Sequence, residues 1–257
     1  MVLKKLVFAI MFSLAIPLLL GFAQEAEAAS TVILRSPTGA FADETCTDND
    51  PCDLDPTEGS IVFLTNNGQF SVELILALTK PILGTDKEPQ IDINVSALSA
   101  GSPGVLEVIF TDDDFPNIFQ NYFGLATIGG TTEGSVNYET YWDPDNVQFA
   151  QQTLISQFLN LGFGPGIQGF NDQQSVVIEG INSPFSLTQV ITINHDSAGQ
   201  LTTLDANLQL SPVVGGFDIP IDNVALILAG VQTSFVWILP AVAIVGAGLT
   251  YIKLKKN

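Results

Sequence analysis

Basic side chains are scarce in this chain of 257 residues, with eight Lys and Arg against 27 Asp and Glu and a formal net charge of −19. A polyanion of this kind repels phosphate backbones and anionic headgroups, which excludes nucleic acid as a partner. There is one histidine, His195, and there are two cysteines, Cys46 and Cys52. So few soft ligands exclude a zinc ribbon or finger. No G-x-S-x-G, phosphate-binding Walker loop or H-E-x-x-H occurs, and a lone His with no identified nucleophile or orienting acid makes no triad. The reading is of a non-enzyme; paired carboxylates of the glycosidase kind leave no local signature. Low-complexity tracts and internal repeats are also lacking.

What is abundant is apolar sequence at both ends. Leu6 to Phe22 is apolar behind Lys4 and Lys5, and small residues cluster from Ala23 to Ser30. This is the layout of a secretory signal, with cleavage after Ala23 or, at Ala26-Glu27-Ala28, after Ala28, so residues 1–28 are read as a signal peptide. An uncleaved N-terminal anchor is the competing reading. Phe235 to Ile252 is 18 residues without a charge, followed by Lys253, Lys255 and Lys256. About 20 apolar residues in a helix cross a hydrocarbon core. Residues 231–252 are thus expected to be a transmembrane anchor, with Trp237 and Tyr251 near its two interfaces and residues 253–257 a cytoplasmic basic tail. The expectation is a single-pass cell-membrane protein with its N-terminal ectodomain outside the cell.

Residues 29–230 would form that ectodomain. Glu25 and Glu27 precede it, leaving 25 acidic residues against Arg35, Lys80 and Lys87, an excess of 22 negative charges. Cys46 and Cys52, separated by Thr-Asp-Asn-Asp-Pro, are expected to pair in an oxidising compartment. Ser60–Thr65, Phe70–Leu78, Gln90–Leu98, Val105–Phe110, Ser135–Trp142, Ser175–Ile181, Phe185–Asn194 and Leu201–Leu210 are short and rich in Val, Ile, Leu and Phe. Turn chemistry such as Asn66-Asn67-Gly68 separates them. Ile91, Ile93 and Val95 alternate with Asp92 and Asn94, giving one buried and one wet face. The predicted fold class is all-β: an antiparallel β-sandwich ectodomain with a C-terminal transmembrane helix. Only residues 146–161 read as helical, on the mixed spacing of Phe149, Leu154, Ile155, Phe158 and Leu159.

The tail Asp222–Asn257, with Ala225-Leu226-Ile227-Leu228-Ala229-Gly230, Val236-Trp237-Ile238-Leu239-Pro240 and the lysine end, resembles the C-terminal anchors of archaeal exported surface proteins. Residues 70–210 resemble secreted β-sandwich domains of PEP-CTERM-type exported proteins, in Val105–Phe115, Gly134–Phe149 and Phe185–Leu210. A Pro-Glu-Pro or Pro-Glu-Phe-Gly signature does not precede the apolar tail, which implies a retained anchor.

Three constellations could carry chemistry. Asp43, Glu44, Asp48, Asp50, Asp53, Asp55 and Glu58 crowd the cysteine loop, and Asp112, Asp113 and Asp114 follow one another after a strand. Calcium takes six to eight oxygen ligands, so each cluster is a candidate metal site and Asp112–Asp114 the leading one. A solvated acidic turn is the alternative in both places. Tyr138, Tyr141, Trp142, Asp143 and Asp145 place rings beside acids, as a sugar-binding face would; sheet core is the other reading. Asn94-Val95-Ser96 is a sequon whose use depends on Asn94 facing outward. The expected role is a surface-anchored structural or interaction protein contacting cell-envelope proteins or glycans. A calcium- or carbohydrate-binding surface module is the alternative.

Overall fold

The computed structural model describes residues 30–181 and 184–213. The expected signal peptide, membrane anchor and basic tail lie outside these residues, as do residues 214–230.

Among the described residues the chain forms twelve strands: β1 (Thr31–Arg35), β2 (Glu44–Thr47), β3 (Ser60–Asn66), β4 (Phe70–Leu78), β5 (Gln90–Ser99), β6 (Gly104–Phe115), β7 (Asn121–Thr132), β8 (Ser135–Asp143), β9 (Thr153–Leu161), β10 (Gln168–Glu179), β11 (Phe185–His195) and β12 (Leu201–Pro212). They make two six-stranded sheets, ordered β2-β1-β6-β11-β8-β9 and β10-β7-β12-β5-β4-β3. Every pairing is antiparallel. The all-β sandwich read from the alternation is therefore the observed architecture, and β4 runs over the predicted residues.

Period two builds the core. From the first sheet, Leu106, Val108 and Phe110 of β6 and Leu187, Ile191 and Ile193 of β11 are buried; from the second come Ile91, Ile93 and Val95 of β5 and Leu204, Ala206 and Leu208 of β12. These belong to one continuous apolar cluster, and burying each large side chain contributes about 1.5–3 kcal/mol. A polar bridge centred on Gln189 crosses it. Gln189 of β11, fully buried, donates its amide to Tyr138 Oη at 2.8 Å and towards the carbonyls of Ile91 (3.3 Å) and Ala206 (3.4 Å) in the opposite sheet. Tyr138 in turn donates to Asn207 O at 3.2 Å and stacks on Phe158 with centroids 5.7 Å apart.

Residues 146–161 are not a helix. Residues 153–161 are strand β9 at the edge of the first sheet, and residues 144–152 are an irregular connection. The register between β8 and β9 slips twice, so Ile155, Ser156 and Phe158 are all buried. These slips break the alternation and imitate helical spacing. Strand β7 escaped prediction because glycine and threonine dominate it. Gly130 is required there, since a Cβ would meet Thr203 O at 2.2 Å.

Both edges on the β9/β10 side are guarded. Gln174 Oε1 accepts from Gln157 N at 3.2 Å, and Asn137 Oδ1 accepts from Asn160 N at 2.8 Å. Asp172 lies opposite the core residue Ile128 in the ladder, which puts a charge on the inward face of an edge strand, a device against strand addition. At the other margin the expected disulfide is present, Cys46 to Cys52 with Cα atoms 5.7 Å apart.

The polar bridge gives a stability test. Tyr138→Phe removes an acceptor from Gln189 and a donor from Asn207 O, and is expected to cost about 1–2 kcal/mol in urea unfolding followed by tryptophan fluorescence. An unchanged midpoint would show that the bridge is not needed.

Candidate functional site

The structure treats the three sequence constellations differently. Around the cysteine loop Asp48, Asp53 and Asp55 are turned onto the local backbone, and Glu44 accepts from Thr65 Oγ1. Asp53 accepts from the amides of Asn49 (3.1 Å), Asp55 (3.0 Å) and Val62 (2.9 Å). Asp55 accepts from Thr57 N (3.1 Å), Thr57 Oγ1 (2.6 Å) and Ser60 Oγ (2.8 Å), which holds its carboxyl below the usual range. Asp48 accepts from Gly59 N at 2.7 Å, while burial pushes its carboxyl up. These acids shape the loop between β2 and β3.

The proposed sugar-binding face divides across β8. Tyr138 and Trp142 are buried core residues, whereas Tyr141 faces out half-buried and donates to Glu139 Oε2 at 2.8 Å. Burial and the Glu139 carboxylate push the Tyr141 phenol up to about 12. No aromatic platform forms from the three rings. His195 is also a core residue, 1% exposed, with Nε2 2.8 Å from Thr202 Oγ1 and its ring 5.6 Å from that of Phe70. Burial lowers its pKa.

The run Asp112–Asp114 separates into three roles. Asp112 is 1% exposed; it accepts from Thr79 Oγ1 at 2.6 Å, from Lys80 Nζ at 2.8 Å and from Asp113 N at 2.9 Å. Lys80 also donates to Asp113 O and sits 4.1 Å above the Phe115 ring centroid. Desolvation holds the Asp112 carboxyl above the ordinary range, with Lys80 and Thr79 pulling it back. Asp114, at φ 54°, accepts from Asn146 Nδ2, while Asn146 Oδ1 accepts from Asp114 N at 2.8 Å.

Asp113 belongs to a different group. The end of β11 lies between those of β6 and β8, where Ser186 pairs with Asp143 and Phe185 with Phe115. The connection after β8 folds over the outer face here. Val147 N donates to Asp143 Oδ2 at 2.8 Å, Ser186 Oγ donates to Val147 O at 2.7 Å, and Phe149 N donates to Thr111 Oγ1 at 3.2 Å. Gln148 hydrogen-bonds the Asp113 carboxylate, which burial pushes up. Two constellations distant in sequence thus meet under one loop, and Asp143, Asn146, Gln148 and Ser186 join Asp113 at a single corner. No three carboxylates, cysteines or histidines among the described residues converge as a metal-ligand group.

A second acidic pair lies on the outer face of the other sheet. Asp92 of β5 is opposite Asn207 of β12, and Asn94 opposite Asp205. Asp92 accepts from Asn94 Nδ2 at 3.2 Å and Asn207 Nδ2 at 3.1 Å. Burial, then the neighbouring Asp205 carboxyl, pushes Asp92 up to about 8. The doubled Asp-x-Asn in the sequence was its visible trace. Asn94 faces outward, half-buried.

No protein-family model matches the sequence, and no curated protein matches it. Among solved structures, the chain is similar to the adhesin domain of Epf from Streptococcus pyogenes, with TM-score 0.34 and 14% identity over 70% of this chain and 57% of that one. It is similar to the carbohydrate-binding module TmCBM27, known for specific mannan recognition, at TM-score 0.28 and 8% identity over 56% of this chain and 90% of that one. TmCBM61, seen in complex with β-1,4-galactotriose, matches at TM-score 0.18 and 11% identity over 63% and 92%. These overlaps are partial, and no ligand or role follows from them.

Two substitutions test the electrostatics. Lys80→Met leaves Asp112 buried without its cation and is expected to cost roughly 3 kcal/mol, with part recovered in Lys80→Met/Asp112→Asn; equal stability of Lys80→Met and wild type in urea would refute the pairing. Asp92 binds its proton more tightly folded than unfolded, so wild-type stability should fall as pH rises from about 4 to about 8. Asp92→Asn should flatten that fall, matching wild type near pH 4 and exceeding its Tm near pH 8. A parallel pair of Tm profiles would sink the assignment.

Proposed function

We propose that this chain is an exported, membrane-anchored surface protein that displays an acidic β-sandwich for contact with cell-envelope proteins or glycans. The observation that carries the reading is a disulfide-closed sandwich set between a signal-like leader and an apolar segment ending in lysines. Disulfides persist outside the reducing cytoplasm, and the lysine bias keeps the tail inside. The likeness to archaeal C-terminally anchored proteins belongs to this reading. No catalytic step is assigned: His195 is committed to packing, and Asp53 of the cysteine loop to the amides of Asn49, Asp55 and Val62.

Protease treatment of intact cells carrying a C-terminal epitope tests the topology. Loss of the full-length band with survival of a short membrane-bound tagged fragment is expected. A chain that stays protected until the cells are lysed would overturn the reading. Glycan-array binding by the detergent-solubilised full chain then separates the two partner classes.

A further inference from the structure

We propose that Lys80 and Asp112 become joined by an intramolecular isopeptide bond, an amide that links the two sheets. In the folded chain Lys80 Nζ lies 2.8 Å from Asp112 Oδ2, and Asp112 is 1% exposed. Lys80 is held from two further sides, donating to Asp113 O and lying 4.1 Å from the Phe115 ring centroid. The carboxyl is fixed as firmly. Its Oδ1 accepts from Asp113 N at 2.9 Å, and its Oδ2 accepts from Thr79 Oγ1 at 2.6 Å. Amine and carboxyl are thus set side by side with water excluded from the carboxyl. Groups oriented in this way react as if at concentrations of about 10⁵–10⁸ M. The other basic residues of the described chain lack this setting: Arg35, paired with Glu107, is a guanidinium, and Lys87 is exposed in the β4–β5 connection.

The step is a condensation that needs no added reagent. The ammonium first passes a proton to Asp112 Oδ2, giving an amine and a carboxylic acid. Burial, which holds the Asp112 carboxyl up, favours this neutral pair over the two ions. The Nζ lone pair then attacks Cγ, and negative charge develops on Oδ1, where Asp113 N already donates. A second proton passes from Nζ through the Thr79 hydroxyl to Oδ2. The Cγ–Oδ2 bond breaks, and that oxygen leaves as water. The product is an amide whose carbonyl oxygen is Oδ1, still bonded to Asp113 N, and whose N–H keeps Asp113 O as its acceptor. The inference is independent of surface display, since it needs only the folded chain.

Peptide mapping by mass spectrometry of the denatured, disulfide-reduced full chain tests it. The peptide holding Lys80 and the peptide holding Asp112 should be recovered as one joined species, lighter than their sum by one water. Lys80→Arg keeps a cation beside Asp112 but replaces the nucleophilic amine, and should give the two peptides separately. Thr79→Val should slow the joining at least tenfold in a time course begun at synthesis. A wild-type chain that yields only separate peptides holds an ion pair and nothing more, and would overturn the proposal. A joined species of the same kind in Lys80→Arg would do so too, and joining at the wild-type rate in Thr79→Val would overturn the role given to its hydroxyl. If Lys80→Arg fails to fold, fragmentation of the wild-type joined species, which must place the link at Lys80 and Asp112, decides the question.

Discussion

The pairing of Lys80 with Asp112 is the interaction on which one end of this domain depends. Lys80 follows β4 in one sheet and Asp112 lies on β6 in the other, so a single ammonium joins the two layers. It also caps Asp113 O and lies over Phe115. That one cation lets an aspartate occupy a core-facing position, from which the chain turns into Asp113 and Asp114. Without it, Asp112 would be left buried beside two further carboxylates with no cation to offset their repulsion.

The rest of the charge is handled by placement. Alternation sends most of the acids to the outer faces, where water screens them. Those held closer in are matched to backbone amides at the cysteine loop, to asparagine amides around Asp92, or to Lys80. Asp48, Asp113 and Asp143 each keep one buried oxygen without a hydrogen bond, while the other oxygen of Asp48 and of Asp143 accepts from a backbone amide. Charge also guards the sandwich margin, where Asp172 points inward from an edge strand and Gln174 reaches across to the other sheet.

Much of the fold was legible because strand chemistry and turn chemistry agreed. Phe70–Leu78 sits between Asn66-Asn67-Gly68 and Pro81, and Asn67 Oδ1 does accept from Phe70 N. The β9 segment misled because its bulges buried Ile155 and Ser156 in succession. Strand β7 carried too many small residues to be seen without its neighbours. The corner was legible only in halves. Asp112–Asp114 and Asp143 read as separate groups because β11, which lies between them in space, arrives about 40 residues after Asp143 in the sequence. Long-range register of this kind leaves no local pattern.

The position of β12 has a mechanical consequence. It is an interior strand, bonded to β7 on one side and β5 on the other, and the described chain leaves from its end at Val213. Tension applied beyond Val213 therefore acts along the strand and loads both ladders in shear, so their hydrogen bonds resist together. An edge strand pulled at its end would peel open one pair at a time. A domain threaded in this way can bear a sustained pull through its C-terminal side without unravelling from that end.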